Sequence, residues 1–157
     1  MRAFARCSRG AGEFSALIMY PLLMWTFFTM VQLLMLEVAT LATEHATEEG
    51  ARAASVILAD DPKYWDSPVG AARGDRMKAI EAAVKTPLLA VVDAPVVRVK
   101  TNKSAYREGD MVEIEVEFDY PCTAPVGRAL VCGKRPAKTI KRVSKMPYQG
   151  AGYEYGS

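Results

Sequence analysis

A long stretch without any charged residue lies near the start of the chain, from Phe14 to Leu36. It reads FSALIMYPLLMWTFFTMVQLLML and contains no Asp, Glu, Lys, Arg or His. A helix that rises about 1.5 Å per residue needs roughly 20 apolar residues to cross the hydrocarbon core of a bilayer. The stretch meets this length, so the sequence predicts one transmembrane helix at residues 14–36.

The charges that flank this stretch differ in sign. The N-terminal flank carries Arg2, Arg6 and Arg9, and the C-terminal flank opens with acids. Those acids are Glu37, Glu44, Glu48 and Glu49. Because cytoplasmic flanks of membrane helices are enriched in Lys and Arg, we expect residues 1–13 to be a cytoplasmic leader and residues 37–157 to be exported.

A cleaved secretory signal peptide is the alternative interpretation of the same stretch. The apolar region of a signal peptide runs only about 7–15 residues and ends in a small-residue cleavage site of the A-x-A type. Here the apolar run is longer, and Ala39-Thr40-Leu41-Ala42 fits that cleavage pattern poorly. The sequence therefore favours a retained membrane anchor.

The helical pattern continues beyond the apolar stretch. After Glu37 the apolar residues recur at helical spacing, and no proline occurs between Pro21 and Pro62. We therefore predict one helix from Gly12 to Ala59, with residues 37–60 as its extracytoplasmic continuation. A proline inside a helix removes a hydrogen bond, so a kink is expected at Pro21.

The remaining residues, 61–157, are predicted to form a small extracytoplasmic α+β domain. Asp75 to Leu89 has the period of a helix, and Val97 to Thr101 alternates like a strand. The clearest strand is Met111 to Tyr120, in which apolar residues alternate with acids. The predicted fold is thus a long N-terminal transmembrane helix that continues into a domain with an antiparallel sheet.

Two further strands are predicted after the acidic one, at Arg128–Cys132 and Thr139–Lys145. Thr139–Lys145 is basic, and opposite charges stabilise neighbouring strands when they face each other. We therefore expect this strand to pair with the acidic strand Met111–Asp119. The basic run from Arg128 to Lys145 could also meet an acidic partner, although a solvated surface is the more common role of such a run.

Two of the three cysteines, Cys122 and Cys132, lie in the predicted exported part. An exported pair of cysteines in an oxidising compartment usually forms a disulfide, and the intervening Ala124–Gly127 suits a turn. A metal site would need more ligands nearby than the sequence offers. Cys7 lies on the cytoplasmic side of the anchor, so we do not expect it to pair with either.

The charge and the residue types argue against other classes of function. The net charge is only +2, which gives no indication of a nucleic-acid partner. The single histidine, His45, lies among glutamates without a second metal-binding motif, and no G-x-S-x-G, P-loop or G-x-G-x-x-G is present. The sequence predicts neither an enzyme nor a cofactor-binding or metal-binding protein.

Several segments resemble the TadE-like proteins of the tight-adherence branch of the type IV pilus machinery. The opening RGAGEFSALIMYPLLMW is similar to the start of that family, and His45–Ala54, with its Gly-Ala-Arg-Ala-Ala core, is similar to the family's segment just outside the membrane. The tail Lys145–Ala151 also resembles the family. The likeness is continuous over roughly the first 55 residues and patchier afterwards.

The resemblance implies that a dedicated prepilin peptidase removes the leader after a glycine that precedes a glutamate. Gly10 is the residue that matches this glycine, and Glu13 is the candidate glutamate. In an ungapped alignment the family's glutamate falls on Ser15, so Glu13 stands two positions early. A carboxylate at the membrane edge needs a partner, which in a filament can be the new N-terminal amine of a neighbouring subunit. The alternative is that Glu13 lies in the headgroup region as an ordinary flank.

The small residues Gly50, Ala51 and Ala54 also have two interpretations. Small side chains let another element approach a helix closely, so this face could pack against the helix of a partner subunit. Alternatively, the helix packs there against its own sheet, which a domain of this kind needs in order to have a core.

The resemblance implies a pilin-like subunit or assembly factor of a tight-adherence pilus, a single-pass protein of the bacterial inner membrane with a periplasmic or surface domain. The expected partners are other pilin-like subunits, the pilus assembly platform, a prepilin peptidase and membrane lipid. One alternative is an anchored sensor that binds a ligand in an apolar pocket near Trp65. A second alternative is an unprocessed secretion-machine anchor that never enters a filament, which the spacing at Ser15 favours.

Overall fold

A computed structural model describes residues 7–123 and 131–150, with side chains from Ser15 onward. The fold is α+β, with one long N-terminal helix and a small three-stranded antiparallel sheet. The helices are α1 (Cys7–Ile57), a short 3-10 helix (Pro62–Tyr64) and α2 (Asp75–Leu88). The strands are β1 (Val97–Thr101), β2 (Met111–Pro121) and β3 (Ala137–Pro147). The predicted order of the two α-helices and of these three strands is confirmed, whereas the short 3-10 helix was not predicted.

Helix α1 begins earlier than the sequence predicted. It starts at Cys7 rather than at Gly12, because a glycine inside a helix costs only about 1 kcal/mol and does not by itself stop the helix. Pro21 lies inside α1. At the other end the helix stops at Ile57, and a turn in which the amide of Asp60 donates to the carbonyl of Ile57 follows.

The described residues fall into two compact units. One unit combines the described parts of Met1–Leu36 and Pro121–Ala137, and the other combines Glu37–Tyr120 with the described part of Lys138–Ser157. The boundary within α1 lies at the end of the uncharged stretch. The described part of Pro121–Ala137, however, belongs with the apolar helix and not with the rest of the predicted domain 61–157.

Strand β2 is the centre of the sheet, in the order β1-β2-β3. Its alternation is confirmed: Val112, Ile114, Val116 and Phe118 are fully buried, and the intervening acids face outward. In the β1–β2 pair Val97 lies opposite Phe118, and Val99 lies opposite Val116. One face of the sheet therefore supplies the core, as the period of two residues requires.

The pairing of the basic strand with the acidic strand is also confirmed. Lys141 Nζ on β3 lies 2.7 Å from Glu115 Oε1 on β2, and Lys145 Nζ lies 3.1 Å from Glu113 Oε2. On the other side of β2, Arg98 Nη2 of β1 lies 3.0 Å from Asp119 Oδ2. Cations of both edge strands thus neutralise the acids of the central strand.

The predicted strand at Arg128–Cys132 is wrong for the residues that the structure describes. Val131 is helical and Cys132 is in a turn, whereas residues 124–130 lie outside the described part of the chain. The amide of Arg135 donates to the carbonyl of Cys132 at 3.4 Å, and Gly133 has a φ of 62°. Because the backbone forms a turn at these residues, it cannot also be part of a β-strand there.

The connection between α1 and α2 is held against the loop before β2. The amide of Gly70 donates to the carbonyl of Leu58 at 2.7 Å, and the amide of Tyr106 donates to the carbonyl of Gly70 at 2.9 Å. Gly70 has a φ of 78°, and a Cβ at this position would overlap the carbonyl oxygen of Tyr106. Only glycine satisfies both the left-handed backbone and the close approach.

Candidate functional site

The first half of α1 exposes apolar side chains in every direction. The four successive residues Leu17, Ile18, Met19 and Tyr20, which make a full turn, are between 58% and 72% exposed. Exposed apolar side chains continue as far as Met35. In the most apolar window of Ser15–Ile57 only 17% of residues are buried, and this helix is long and apolar enough to cross a membrane. A helix that is apolar all round suits a lipid environment when protein does not cover it.

The second half of α1 has one covered face. Its fully buried residues recur at helical spacing. They include Ala39, Thr43, Ala46, Ala51 and Ala54. The buried hydroxyl of Thr43 donates to the carbonyl of Ala39 at 2.7 Å, so this donor has a hydrogen-bond partner although it is buried. One helix thus combines an exposed apolar half with a half whose face is part of a protein core.

An apolar groove of about 400 Å³ runs along the exposed half of α1. Its described lining residues include Leu22, Trp25 and Leu33 and two threonines. The hydroxyl of Thr26 donates to the carbonyl of Leu23, and that of Thr29 donates to the carbonyl of Trp25. Because both donors are used within the helix, the groove offers a hydrocarbon surface.

The small residues of the candidate packing motif lie in the core of the domain. Ala51 and Ala54 are fully buried. A Cβ on Gly50 would overlap Cγ2 of Val84 in α2 and would lie 3.6 Å from Cγ2 of Ile114 in β2. Gly50 therefore faces α2 and the sheet of the same chain, which is the intramolecular interpretation of the motif.

A buried arginine that the sequence reasoning missed closes the end of α1. Arg76, at the start of α2, is fully buried and donates to the carbonyls of Ile57 and Asp60. Its Nε also donates to the hydroxyl of Ser67 at 3.0 Å, and its guanidinium lies 5.2 Å from the centre of the Trp65 ring. Carbonyls at a helix C-terminus lack helical partners, and a cation satisfies them best. Nothing in the local pattern singles out this arginine among its exposed neighbours.

Trp65, which an alternative function places beside a ligand pocket, is part of this same network. Its indole N–H donates to Asp60 Oδ2 at 2.8 Å. This hydrogen bond, then the amide of Asp61 and the charge of Arg76, lower the pKa of Asp60 from its ordinary value of 3.8. The network connects the end of α1, the following loop and α2 through one cation.

The outer face of the sheet is electrostatically matched. The hydrogen bond from Lys100, followed by the charges of Lys100 and Lys141, lowers the pKa of Glu117. The carboxylate of Glu115 in turn raises the pKa of Lys141. A face in which acids and bases already pair attracts a charged partner only weakly.

A further ion pair ties β3 to the long helix. Arg142 Nε lies 2.7 Å from Glu44 Oε1. Both residues line a small open pocket of about 230 Å³. Arg142 stands on the side of β3 that faces the core, unlike Lys141 and Lys145. Its partner is an acid of the segment just beyond the apolar stretch.

Cys122 and Cys132 form a disulfide in the structure. The Cα atoms of Cys122 and Cys132 are 6.5 Å apart, which is within the range that a disulfide spans. The amide of Cys122 also donates to the carbonyl of Pro136 at 3.1 Å. The turn predicted at Ala124–Gly127 lies outside the described residues.

The candidate processing residues belong to the first turns of α1. The helix runs through Gly10 and Glu13, but the side chains before Ser15 lie outside the described ones, as does Ala151 of the tail motif. Within residues 7–123 and 131–150 the structure contains no group of three His, Cys, Asp or Glu side chains that could hold a metal ion.

No protein-family model, curated protein or solved structure significantly matches this chain. The class that its fold defines is therefore an α+β protein with one membrane-length N-terminal helix.

Proposed function

We propose that this chain is a membrane-anchored, pilin-like subunit or assembly component of a bacterial tight-adherence pilus. It acts by packing: the apolar half of α1 enters the membrane or a bundle of subunit helices, and the domain contacts neighbouring subunits. The N-terminus is cytoplasmic and the domain is exported. The partners are other pilin-like subunits, the assembly platform and membrane lipid.

The single observation that carries this proposal is the division of one uninterrupted helix. Residues of α1 such as Leu17 and Tyr20 are apolar and exposed, whereas Ala46 and Ala54 of the same helix are fully buried in a domain. This division suits a subunit that moves between a bilayer and an assembly of helices, because both environments accept an apolar surface. The resemblance of the opening and of the segment around Gly50 to TadE-like proteins supports the same function.

The test is the intact mass of the protein in two fractions, sheared surface filaments and washed membranes. We expect a chain that starts at Ala11 in the filament fraction, which would mean cleavage after Gly10. A Gly10→Leu variant should remain full-length and should disappear from the filaments. An Ala3→Leu variant, changed earlier in the leader, is the matched control and should be processed normally.

The second candidate is an anchor of the secretion machinery that is never processed. The observation that favours it is the early position of Glu13, with Ser15 where the family has its glutamate. Full-length protein confined to the membrane fraction would contradict the filament-subunit proposal and support this one.

A further inference from the structure

The loop closed by the disulfide groups with the apolar helix and not with the domain. The described residues of Pro121–Ala137 belong to the same compact unit as the described part of Met1–Leu36. In that part of α1, the residues with buried side chains are Gln32 and Leu36, at the end of the uncharged stretch. Because the described part of this loop groups with the segment of α1 that ends at Leu36, it lies beside the lipid-facing helix if that helix enters a bilayer.

Two cations directly follow the disulfide in the sequence. Lys134 and Arg135 are exposed and follow directly after Cys132 and Gly133. Their backbone is held by the disulfide to Cys122, by the turn at Gly133 and by the hydrogen bond from the amide of Arg135 to the carbonyl of Cys132. The two side chains therefore project from a turn that directly follows the disulfide.

Lys134 and Arg135 differ from the cations of the sheet. Lys141 and Lys145 each contact a glutamate of β2, but neither Lys134 nor Arg135 has an acidic partner among the described residues. The sequence contains no Asp or Glu between Tyr120 and Tyr153, and none between Phe14 and Leu36. The loop thus carries positive charge, and neither the loop nor the uncharged stretch of α1 contains an acid that compensates it.

We propose that Lys134 and Arg135 bind the anionic headgroups of the bilayer that α1 enters. This inference rests on the membrane anchoring proposed above. Clusters of Lys and Arg next to a membrane helix bind anionic lipid, and each cation near such a surface contributes roughly a fivefold preference. The acids of β2 already pair with cations of β1 and β3, and no ion pair of Lys134 or Arg135 occurs among the described residues.

The test measures backbone hydrogen exchange in the loop with the full-length oxidised chain in nanodiscs. One preparation contains phosphatidylcholine alone, and the other also contains phosphatidylglycerol. We expect the amides of residues 133–135, 137 and 138 to exchange roughly 20- to 30-fold more slowly with phosphatidylglycerol at low salt. The difference should shrink at about 1 M salt, where the Debye length is about 3 Å.

The variant K134Q/R135Q should lose the difference between the two lipids while it exchanges like the wild type in phosphatidylcholine. The matched control K63Q/R73Q removes one Lys and one Arg that are exposed elsewhere, and it should keep the difference. Equal exchange of the wild-type loop in both lipids would overturn the proposal, and so would a lipid effect that survives in K134Q/R135Q.

Failure of the anchor and failure of the loop contact give different results. A chain that does not enter nanodiscs at all contradicts the membrane function and the loop proposal together. A chain that enters both kinds of nanodisc but shows no lipid effect in the loop contradicts only the loop proposal.

Discussion

Arg76 is a buried arginine that makes several hydrogen bonds at the end of α1. It is fully buried, and one guanidinium serves the carbonyls of Ile57 and Asp60 and the side chain of Ser67. The planar fork of arginine supplies these donors in fixed directions, which lysine cannot reproduce. The end of α1 is therefore stabilised by a residue from another helix.

We expect Arg76→Met to lower the free energy of unfolding by about 2–4 kcal/mol, because it leaves buried carbonyls without donors. Arg76→Lys should recover only part of this loss. The measurement is urea denaturation of the full chain in detergent. Lys78→Met, which removes an exposed cation of the same helix, is the control and should change stability little. Equal effects of the two Met variants would contradict the capping role.

Gly50 gives a second prediction at the scale of one residue. Gly→Ala inside a helix usually stabilises it by up to about 1 kcal/mol. Here the added Cβ would overlap Cγ2 of Val84, so we expect Gly50→Ala to destabilise the domain by about 1–3 kcal/mol. The double variant G50A/V84A should be less destabilised than the sum of its single variants, as a double-mutant cycle would show. Strict additivity would mean that the two positions do not touch.

At the scale of elements, the loop between α1 and α2 is predicted to make the stability of the protein depend on pH under acidic conditions. The hydrogen bond from Trp65 lowers the pKa of Asp60 below 3.8. A carboxyl whose folded pKa is lowered contributes stability above its unfolded pKa, and this contribution is lost as the pH falls through the folded pKa. The denaturation midpoint of the wild type should therefore fall as the pH drops below 3.8. Asp60→Asn should reduce this fall of the denaturation midpoint at low pH. Asp66→Asn, at an exposed position, is the control and should show the same fall as the wild type.

The disulfide is the second element whose contribution can be measured. Cys122 and Cys132 are separated by 10 positions, and a loop of this size contributes about 2–3 kcal/mol in the chain-entropy model. We expect C122S/C132S to lower the stability of the full chain by about that amount. The intact mass of the exported wild type should increase by two hydrogens on reduction. A free-thiol mass before reduction would contradict the disulfide.

At the scale of the whole molecule, the charges before the apolar stretch are predicted to set its orientation. Arg2, Arg6 and Arg9 precede the helix, and acids follow it. Replacing the three arginines by glutamine should reduce the exported fraction, because orientation follows the Lys and Arg bias of the flanks. The activity of alkaline phosphatase fused to the C-terminus measures this fraction. Replacement of Lys138, Lys141 and Lys145 by glutamine is the control. Unchanged export in the first variant would contradict the predicted topology.

Much of the architecture followed from local sequence patterns. The uncharged stretch Phe14–Leu36 predicted the apolar half of α1, and the alternation in Met111–Tyr120 predicted both the central strand and its buried face. Complementary charges also predicted that β3 pairs with β2. These features could be predicted because helices and strands place side chains on a face at fixed spacings along the sequence, so the pattern of apolar residues shows in neighbouring residues.

Other features depend on residues that are distant in the sequence. Only the tertiary structure showed that Gly50 faces Val84 and Ile114, that Arg76 caps α1, and that the loop Pro121–Ala137 groups with the apolar helix. Composition also suggested a strand where Gly133 and the disulfide close a turn. The sequence by itself thus determined the elements and their apolar faces, because those arise from neighbouring residues. The tertiary structure decided which faces and end groups meet, because that choice depends on shape and on hydrogen-bond partners across the whole fold.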